Sequence, residues 1–335
     1  MDKYILLGDT HLGTRKASDT WHNITLDFFK EISDVCVKRG IDTVIHLGDF
    51  FHDRKHLNVK TIDIAYEIEN ILQDINMYIV IGNHDSFYKD QLYPSTIQIF
   101  KNSQNIHIVD KITYIDNIIL VPWLTSPSEI PKEFIEGSTL MGHFAIRGFL
   151  MNDSITCNRG LDASEFEGFK YVYSGHFHTP SMKGNIKYIG APYAQTFHDA
   201  DGIRGYYVFE DEDLKFIEYK GAPRFTRIYT DSDIDEVIIK GNIVKVTFTE
   251  DYGTVKNESI MDNIKKFKPL QLYPDFSNIA DVGTDDDRLE ESASVIIDNV
   301  SIMKEYIEKS SPPTNIKKKT VLEIIENIIE EVSEY

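Results

Sequence analysis

Five short polar motifs, each following a short apolar run, constrain the fold of this chain more than any other feature of its sequence. They read Asp9-Thr10-His11, Gly48-Asp49, Gly82-Asn83-His84-Asp85, Gly142-His143 and Gly175-His176-Phe177-His178. The runs leading into them are residues 4–7, 43–47, 78–81, 139–141 and 171–173. Apolar runs of this length, bounded by glycine, predict buried strands. Helical patterns over 19–39 and 59–74 precede the second and third motifs, and strands alternating with helices predict a layered α/β domain. In an open α/β sheet the carboxyl ends of the strands share one edge, where ligands bind. Motifs distant in sequence are therefore expected to converge in space.

The residue types in these motifs are metal ligands. A single Asp-x-His is more often a polar pair at a strand end than a metal site, but five such motifs in order supply enough ligands for two ions. Asp9 and His11 can bend toward one ion, as can His176 and His178, because the chain is already turning at a strand end. Oxygen and imidazole donors suit manganese, iron or zinc, and the lack of thiolates argues against a structural zinc site. Asp49 is placed to bridge two ions. The amide oxygen of Asn83 is a neutral ligand, which leaves the pair with net positive charge. Two divalent ions about 3.5–4 Å apart suit in-line displacement at phosphorus.

These motifs resemble those of the calcineurin-like metallophosphoesterases over residues 1–210. The resemblance implies a layered α/β fold, a β-sandwich flanked by helices. It implies one ion on Asp9, His11, Asp49 and His178, and a second on Asp49, Asn83, His143 and His176. His84 would face the scissile phosphate and protonate the leaving oxygen, with Asp85 orienting its ring. Imidazole suits that task because its unperturbed pKa of about 6.5 lies near working pH.

The first motif continues to Gly13, and the second reads Gly48-Asp49-Phe50-Phe51-His52-Asp53-Arg54-Lys55. These extensions resemble the nuclease subunit of double-strand-break repair complexes, including the bacterial SbcD type and the phage recombination endonuclease subunit. So do Tyr188-Ile189-Gly190-Ala191-Pro192-Tyr193 and Arg204-Gly205-Tyr206-Tyr207-Val208-Phe209. His52 matches a position where some members carry a phosphate-positioning histidine and others an aspartate. A phosphoprotein phosphatase would show Gly-Asp-x-x-Asp-Arg-Gly and Gly-Asn-His-Glu, and both motifs depart from that here. The implied activity is a metal-dependent DNA nuclease of repair or recombination, a 3′→5′ exonuclease and single-strand endonuclease. Manganese is the implied metal, with iron(II) or magnesium as alternatives. A phosphomonoesterase or cyclic-nucleotide phosphodiesterase is the competing reading.

Charge bears on that choice. The chain of 335 residues has a formal net charge of −19, whereas phosphate contacts normally need a basic face. From Asp281 onward 14 acidic and 6 basic side chains give −8, which leaves −11 for the remainder including the metal carboxylates. Two divalent ions would offset that locally, and the subunit alone is expected to grip DNA weakly and borrow affinity from a partner. No stretch approaches the ~18 consecutive apolar residues of a membrane span. Cys36 and Cys157 are expected to be free thiols in a reducing cytoplasm, that of the host if the chain is phage-encoded.

Beyond the nuclease domain (1–221) the pattern changes. Strands over 225–229 and 242–248 and a helix over 255–267 predict a small α+β unit, residues 222–280, which by resemblance is a capping domain. Residues 281–294 are acidic with few apolar residues, as in a flexible linker. In 295–335, Ile296, Val300, Met303 and Ile307 form one helical stripe, and Leu322, Ile325, Ile329 and Val332 another. Such a pair is expected to dock on another protein, by resemblance an SMC-type coiled-coil ATPase, or else to fold back on its own core. The resemblance also implies a homodimer, with Trp21, Phe28 and Tyr66 as candidates for its face or as ordinary core. Arg147 and Arg159 are candidate phosphate contacts beside a loop over 152–168. His46 and His107 are expected to be satisfied core histidines.

Overall fold

All four side chains of the first strand, Tyr4, Ile5, Leu6 and Leu7, are buried. A strand buries both faces only when layers cover it on both sides. The computed structural model of the protein describes residues 1–278 other than 124–125, 132–136, 152–155, 201 and 233–234. Its first part runs β1 (Tyr4–Leu7), α1 (Thr14–Ala17), α2 (Asp19–Arg39), β2 (Thr43–His46), α3 (Val59–Ile71), β3 (Asn76–Val80) and β4 (Ile106–Val109). Six strands follow: β5 (Thr113–Ile115), β6 (Ile118–Val121), β7 (Thr139–His143), β8 (Tyr171–Gly175), β9 (Ser181–Lys183) and β10 (Ile186–Tyr188). The last part is β11 (Gly205–Glu210), β12 (Asp213–Glu218), β13 (Phe225–Tyr229), α4 (Glu236–Ile239), β14 (Ile243–Thr247), α5 (Thr254–Lys265) and β15 (Gln271–Asp275).

Two six-stranded sheets result, in the orders β12-β11-β1-β2-β3-β4 and β5-β6-β7-β8-β10-β9. β1 to β4 pair in parallel, as do β6, β7, β8 and β10, while antiparallel strands close three of the four edges and parallel β4 the fourth. Period-two alternation assigns each side chain to a layer. Tyr4, Leu6, Ile45, Leu47 and Val80 meet Ile118, Leu120, Met141 and Tyr173 between the sheets. Ile5, Leu7, Val44, Met77 and Ile79 pack instead with Trp21, Phe28, Phe29, Ile64 and Ile68 of α2 and α3. Loop aromatics Phe144, Phe149 and Phe166 join Val172 and Leu140 on the far face of the second sheet. The fold is therefore a two-sheet sandwich flanked by helices, the expected class.

The helices also begin and end where their residues dictate. α2 stops at Gly40, whose left-handed backbone (φ 63°) lets its N–H reach back to Cys36 and Val37 carbonyls. The side chain of Asn58 accepts the Thr61 N–H and starts α3. β7 and β8 run two residues beyond their apolar cores, so that His143 pairs with Gly175 inside the ladder. One motif histidine thus sits on a strand and not on the turn that follows it.

β13, β14 and β15 form a separate three-stranded parallel sheet. The sequence pattern marks the first two strands and α5 but not β15, because Pro274 interrupts it. Proline is tolerated there since β15 is an edge strand. Of the dimer-face candidates, Trp21 and Phe28 are only 1% and 0% exposed and are ordinary core, between α2 and the first sheet. Tyr66 is 44% exposed. His46 is core and bonds Thr10 Oγ1 at 3.0 Å, whereas His107 is only half-buried and reaches Asn76 Oδ1 at 3.1 Å. Among the described residues no helix is long and apolar enough to cross a membrane. The acidic linker and the helical pair lie outside the described residues.

Candidate metal centre

The motifs of β1, β2, β3, β7 and β8 converge at the carboxyl ends of those strands, where both parallel sets terminate. Close approach is possible because glycines precede the ligands. A Cβ on Gly82 would overlap the Asp49 carboxylate, and one on Gly175 would overlap the Leu47 carbonyl and the Asp9 carboxylate. Three site residues also sit in positive-φ backbone that non-glycine residues rarely adopt: His11 (44°), Asp49 (54°) and His176 (87°). Such conformations cost on the order of 1–3 kcal/mol each and persist only where the surroundings enforce them.

The donor atoms face one another. His143 Nδ1 donates to the Leu47 carbonyl at 2.7 Å, which turns its Nε2 toward Asn83 Oδ1 at 2.9 Å and Asp49 Oδ2 at 3.3 Å. His176 Nδ1 lies 3.0 Å from the same Asn83 oxygen. Asp49, His143 and His176 each bring a ligand atom within 4.8 Å of the others. On the other side His11 Nε2 faces His178 Nε2 at 3.1 Å and Asp49 Oδ2 at 3.8 Å. Asp9 accepts the His176 N–H at 3.0 Å and lies 3.8 Å from His143 Nδ1. All seven expected ligands are thus brought together.

Charge in this cluster is strongly perturbed. Burial, with the Asp49 charge behind it, pushes Asp9 up to about 6 although His143 and His178 oppose the shift. Burial also resists charge on His143, but Asp49, Asp9 and the Leu47 carbonyl raise it to about 9. Asp49 itself is held well below the carboxylate range by His143, His84 and His11, against the effect of burial. Burial drives His176 down to about 3 and His11 well below its ordinary value. Ring nitrogens crowded against carboxylate and amide oxygens and against one another call for a shared cation. The donor set of buried oxygen and imidazole atoms therefore fits divalent metal.

His84 stands next to this cluster. Its N–H donates to Asp49 Oδ1 at 2.8 Å, and its ring Nδ1 donates to the His52 carbonyl at 2.8 Å. Nε2 is left as the atom able to give or take a proton. The rings of His11 and His84 lie 4.8 Å apart edge to face, and His52 stacks on His84 at 5.9 Å. His11, His52 and His84 also bring a ring nitrogen each within 4.8 Å, a cluster that joins one expected ligand to two histidines outside the expected ligand set. The expectation for Asp85 is corrected. Its carboxylate does not orient the His84 ring, because it is buried and accepts the N–H groups of Gly82, Phe51 and Phe50 at 2.9, 3.0 and 3.3 Å. Asp85 ties the second motif loop to the third, and the His52 carbonyl orients the ring.

Several contributors escape the motif reading. Asp199 Oδ1 lies 3.7 Å from His178 Nδ1 and 3.6 Å from Arg204, which also donates to the His178 carbonyl. His178 and Arg204 hold the Asp199 carboxyl well below its usual range despite burial. A carboxylate behind a metal-ligating imidazole fixes its tautomer and ring orientation. Asp199 closes a capping box with Thr196, so the Thr196-Phe197-His198-Asp199 spacing was the available signal. Gln195 Nε2 donates to the Asp9 carbonyl at 2.9 Å. Phe197, beside Asp199, meets Phe225 of β13 at 5.0 Å, and Arg227 donates to the Phe197 carbonyl at 3.1 Å. The small third sheet thus braces the turn that holds His178. The Trp123 ring lies 5.2 Å from His176 and 5.8 Å from His143. Arg147 pairs with Asp162 at 3.6 Å, and His22 is buried against Thr61 at 3.1 Å.

Carboxylates and imidazoles gathered at the strand ends of a helix-flanked sandwich define a metal-dependent phosphoesterase. The sequence model of the calcineurin-like phosphoesterases matches residues 3–180, more than half of the chain, and the chain belongs to that family. Exonuclease subunit 1 of Enterobacteria phage T4 is 35% identical over 224 residues, which cover 63% of this chain and 65% of that protein. The chain therefore spans just under two thirds of the phage protein's length. The DNA double-strand break repair protein Mre11 of Thermoplasma acidophilum is 22% identical over 303 residues, 77% of this chain and 79% of that one. Among solved structures, a dimetal phosphatase from Danio rerio aligns at a TM-score of 0.40 and 12% identity, covering 64% of this chain and 95% of that one.

Proposed function

We propose that this phosphoesterase is a metal-dependent DNA nuclease of double-strand-break repair or recombination, acting as 3′→5′ exonuclease and single-strand endonuclease. The observation that carries the reading is the convergence of Asp9, His11, Asp49, Asn83, His143, His176 and His178 beside His84, whose ring is locked by the His52 carbonyl. Relatives named as an exonuclease subunit and as double-strand-break repair proteins support DNA as the substrate. The polarity of digestion rests on family resemblance.

Asp9, His11, Asp49 and His178 would hold one divalent ion, and Asp49, Asn83, His143 and His176 the other. Manganese is proposed, with iron(II) or magnesium compatible with the same donors. Bound ions would supply Lewis acidity at the phosphate and a water acidified toward neutral pH. The chain supplies the rest. His84 Nε2 delivers the proton to the departing 3′-oxygen, and the stacked His52 ring borders the phosphate. Asp199 keeps His178 in the tautomer whose Nε2 faces His11 and would be free to hold an ion.

Digestion of 3′-labelled and 5′-labelled duplexes in manganese, beside a simple phosphomonoester and a metal-free control, tests the reading. Metal-dependent shortening of DNA is the expected result. Rapid monoester turnover with intact DNA would assign the chain to small-substrate phosphatases, which its acidic surface would suit. The proposed partners are an SMC-type coiled-coil ATPase, docked through residues 295–335, and a second copy of the chain, in a cytoplasmic setting. Removal of 295–335 should abolish co-purification with that ATPase and spare metal-dependent hydrolysis. Retained co-purification would put the docking surface elsewhere.

A further inference from the structure

A chain with a net charge of −19 needs a means of holding a polyanion that does not rely on a basic face. The loop after His84-Asp85 offers one. A bridge between Ser86 and Ser95 pins its neck, reinforced by Phe87 N–H to the Pro94 carbonyl at 2.9 Å and Thr96 N–H to the Asp85 carbonyl at 2.8 Å. The pinned loop carries three exposed aromatic side chains, Phe87, Tyr88 and Tyr93, at 40%, 47% and 71% exposure. The rings of Phe87 and Tyr88 meet edge to face at 4.9 Å. The other anchor is Trp123, whose indole N–H donates to the Lys89 carbonyl at 3.3 Å. The same indole, half-buried, lies against the rings of His176 and His143. Trp123 thus touches the His176 and His143 rings and hydrogen-bonds the backbone of the loop that carries the Phe87-Tyr88 pair.

We infer that Trp123 and the Phe87-Tyr88 pair form a stacking platform for an unpaired nucleobase next to the scissile phosphate. The inference rests on the nuclease reading and narrows its substrate to unpaired strands or frayed ends. Stacking on aromatic rings is insensitive to net charge and to sequence, because every base has a π face. A base inside a duplex has both faces covered by its neighbours and is not available to such a platform. Charge repulsion is tolerable if the grip comes from base faces, with the ions meeting only the phosphate being cut.

The test uses the full chain in manganese and a single-stranded oligonucleotide, with and without abasic residues flanking one labelled phosphate. The wild type should cleave the base-bearing strand with a kcat/KM roughly ten-fold or more above the abasic strand. The double variant Phe87→Ala/Tyr88→Ala should bring that ratio close to unity, chiefly through KM. Phe87→Leu/Tyr88→Leu, which keeps apolar volume without the π face, should do the same. Binding of a 2-aminopurine-containing strand in calcium gives an independent readout: its fluorescence quenching should be lost in both variants. A preference for base-bearing strands that survives in both would overturn the platform while leaving the nuclease reading intact. Failure of the wild type to bind or cleave either strand would instead overturn the nuclease reading itself.

Discussion

His84→Ala is expected to lower metal-dependent phosphodiester hydrolysis by roughly 10²–10⁴-fold, the usual contribution of a positioned general acid. Metal binding should be nearly unchanged. The prediction follows from how the residue is held: its backbone N–H serves the Asp49 carboxylate, and its ring is fixed through Nδ1 by the His52 carbonyl. Alanine keeps the first bond and removes the ring. Titration of metal-free protein with manganese, followed by thermal unfolding, separates the two effects. Because His84 also lies in the three-histidine cluster with His11 and His52, a large loss of metal affinity in the variant would make it a ligand instead. Unchanged hydrolysis would remove it from the chemistry. An activated leaving group such as p-nitrophenol should rescue the variant, since a good leaving group needs no proton.

The second large effect concerns the metal and pH. Metal present at a hundred-fold excess over Kd stabilises a fold by about 2.7 kcal/mol per site. Manganese should therefore raise the melting temperature of chelator-treated protein by several degrees. Asp49→Asn should lose most of that shift, because it removes the carboxylate placed between both sets of donors. The shift should also widen as pH rises from about 6 to about 9. In the metal-free fold Asp9 titrates at about 6, up from 3.8, and His143 at about 9, up from 6.5. Both therefore bind protons more tightly folded than unfolded. For His143 the resulting stability is complete below pH 6.5 and disappears as pH climbs through 9. For Asp9 the corresponding loss falls between pH 3.8 and 6. Metal must expel both protons at low pH and neither above 9, so its apparent affinity rises over the same interval. Melting curves at pH 6, 7.5 and 9, with and without manganese, would expose the trend. A gap that narrowed with pH would contradict the assignment of His143 as a ligand.

Much of this site was legible in the sequence because metal chemistry needs few residue types, and folding places them at strand ends. Apolar runs followed by Gly-Asp or Gly-Asn-His-Asp located β1, β2 and β3 to within a few residues. The helices over α2 and α3 followed from their helical sequence patterns, and the structure shows Gly40 and Asn58 capping them. Spacing could not say where a carboxylate would point. Asp85 adjoins His84 in sequence, yet it turns away to accept three N–H groups from two different motif loops. Trp21 and Phe28 looked equally suited to an interface or a core, because an apolar helical face does not name what covers it. The first sheet covers it.

The sequence by itself determined which atoms could bind metal, in what order along the chain, and that strands would carry them to a common edge. Those properties are local: residue type, alternation, and the glycines that let backbones approach. Only the tertiary structure decided that Asp199 stands behind His178, that the Leu47 and His52 carbonyls set the tautomers of His143 and His84, and that Trp123 lies against His143 and His176 and bonds the Lys89 carbonyl. Each is a contact between segments far apart in the chain, made by a backbone carbonyl or a single side chain, and no periodicity in a sequence encodes such a meeting.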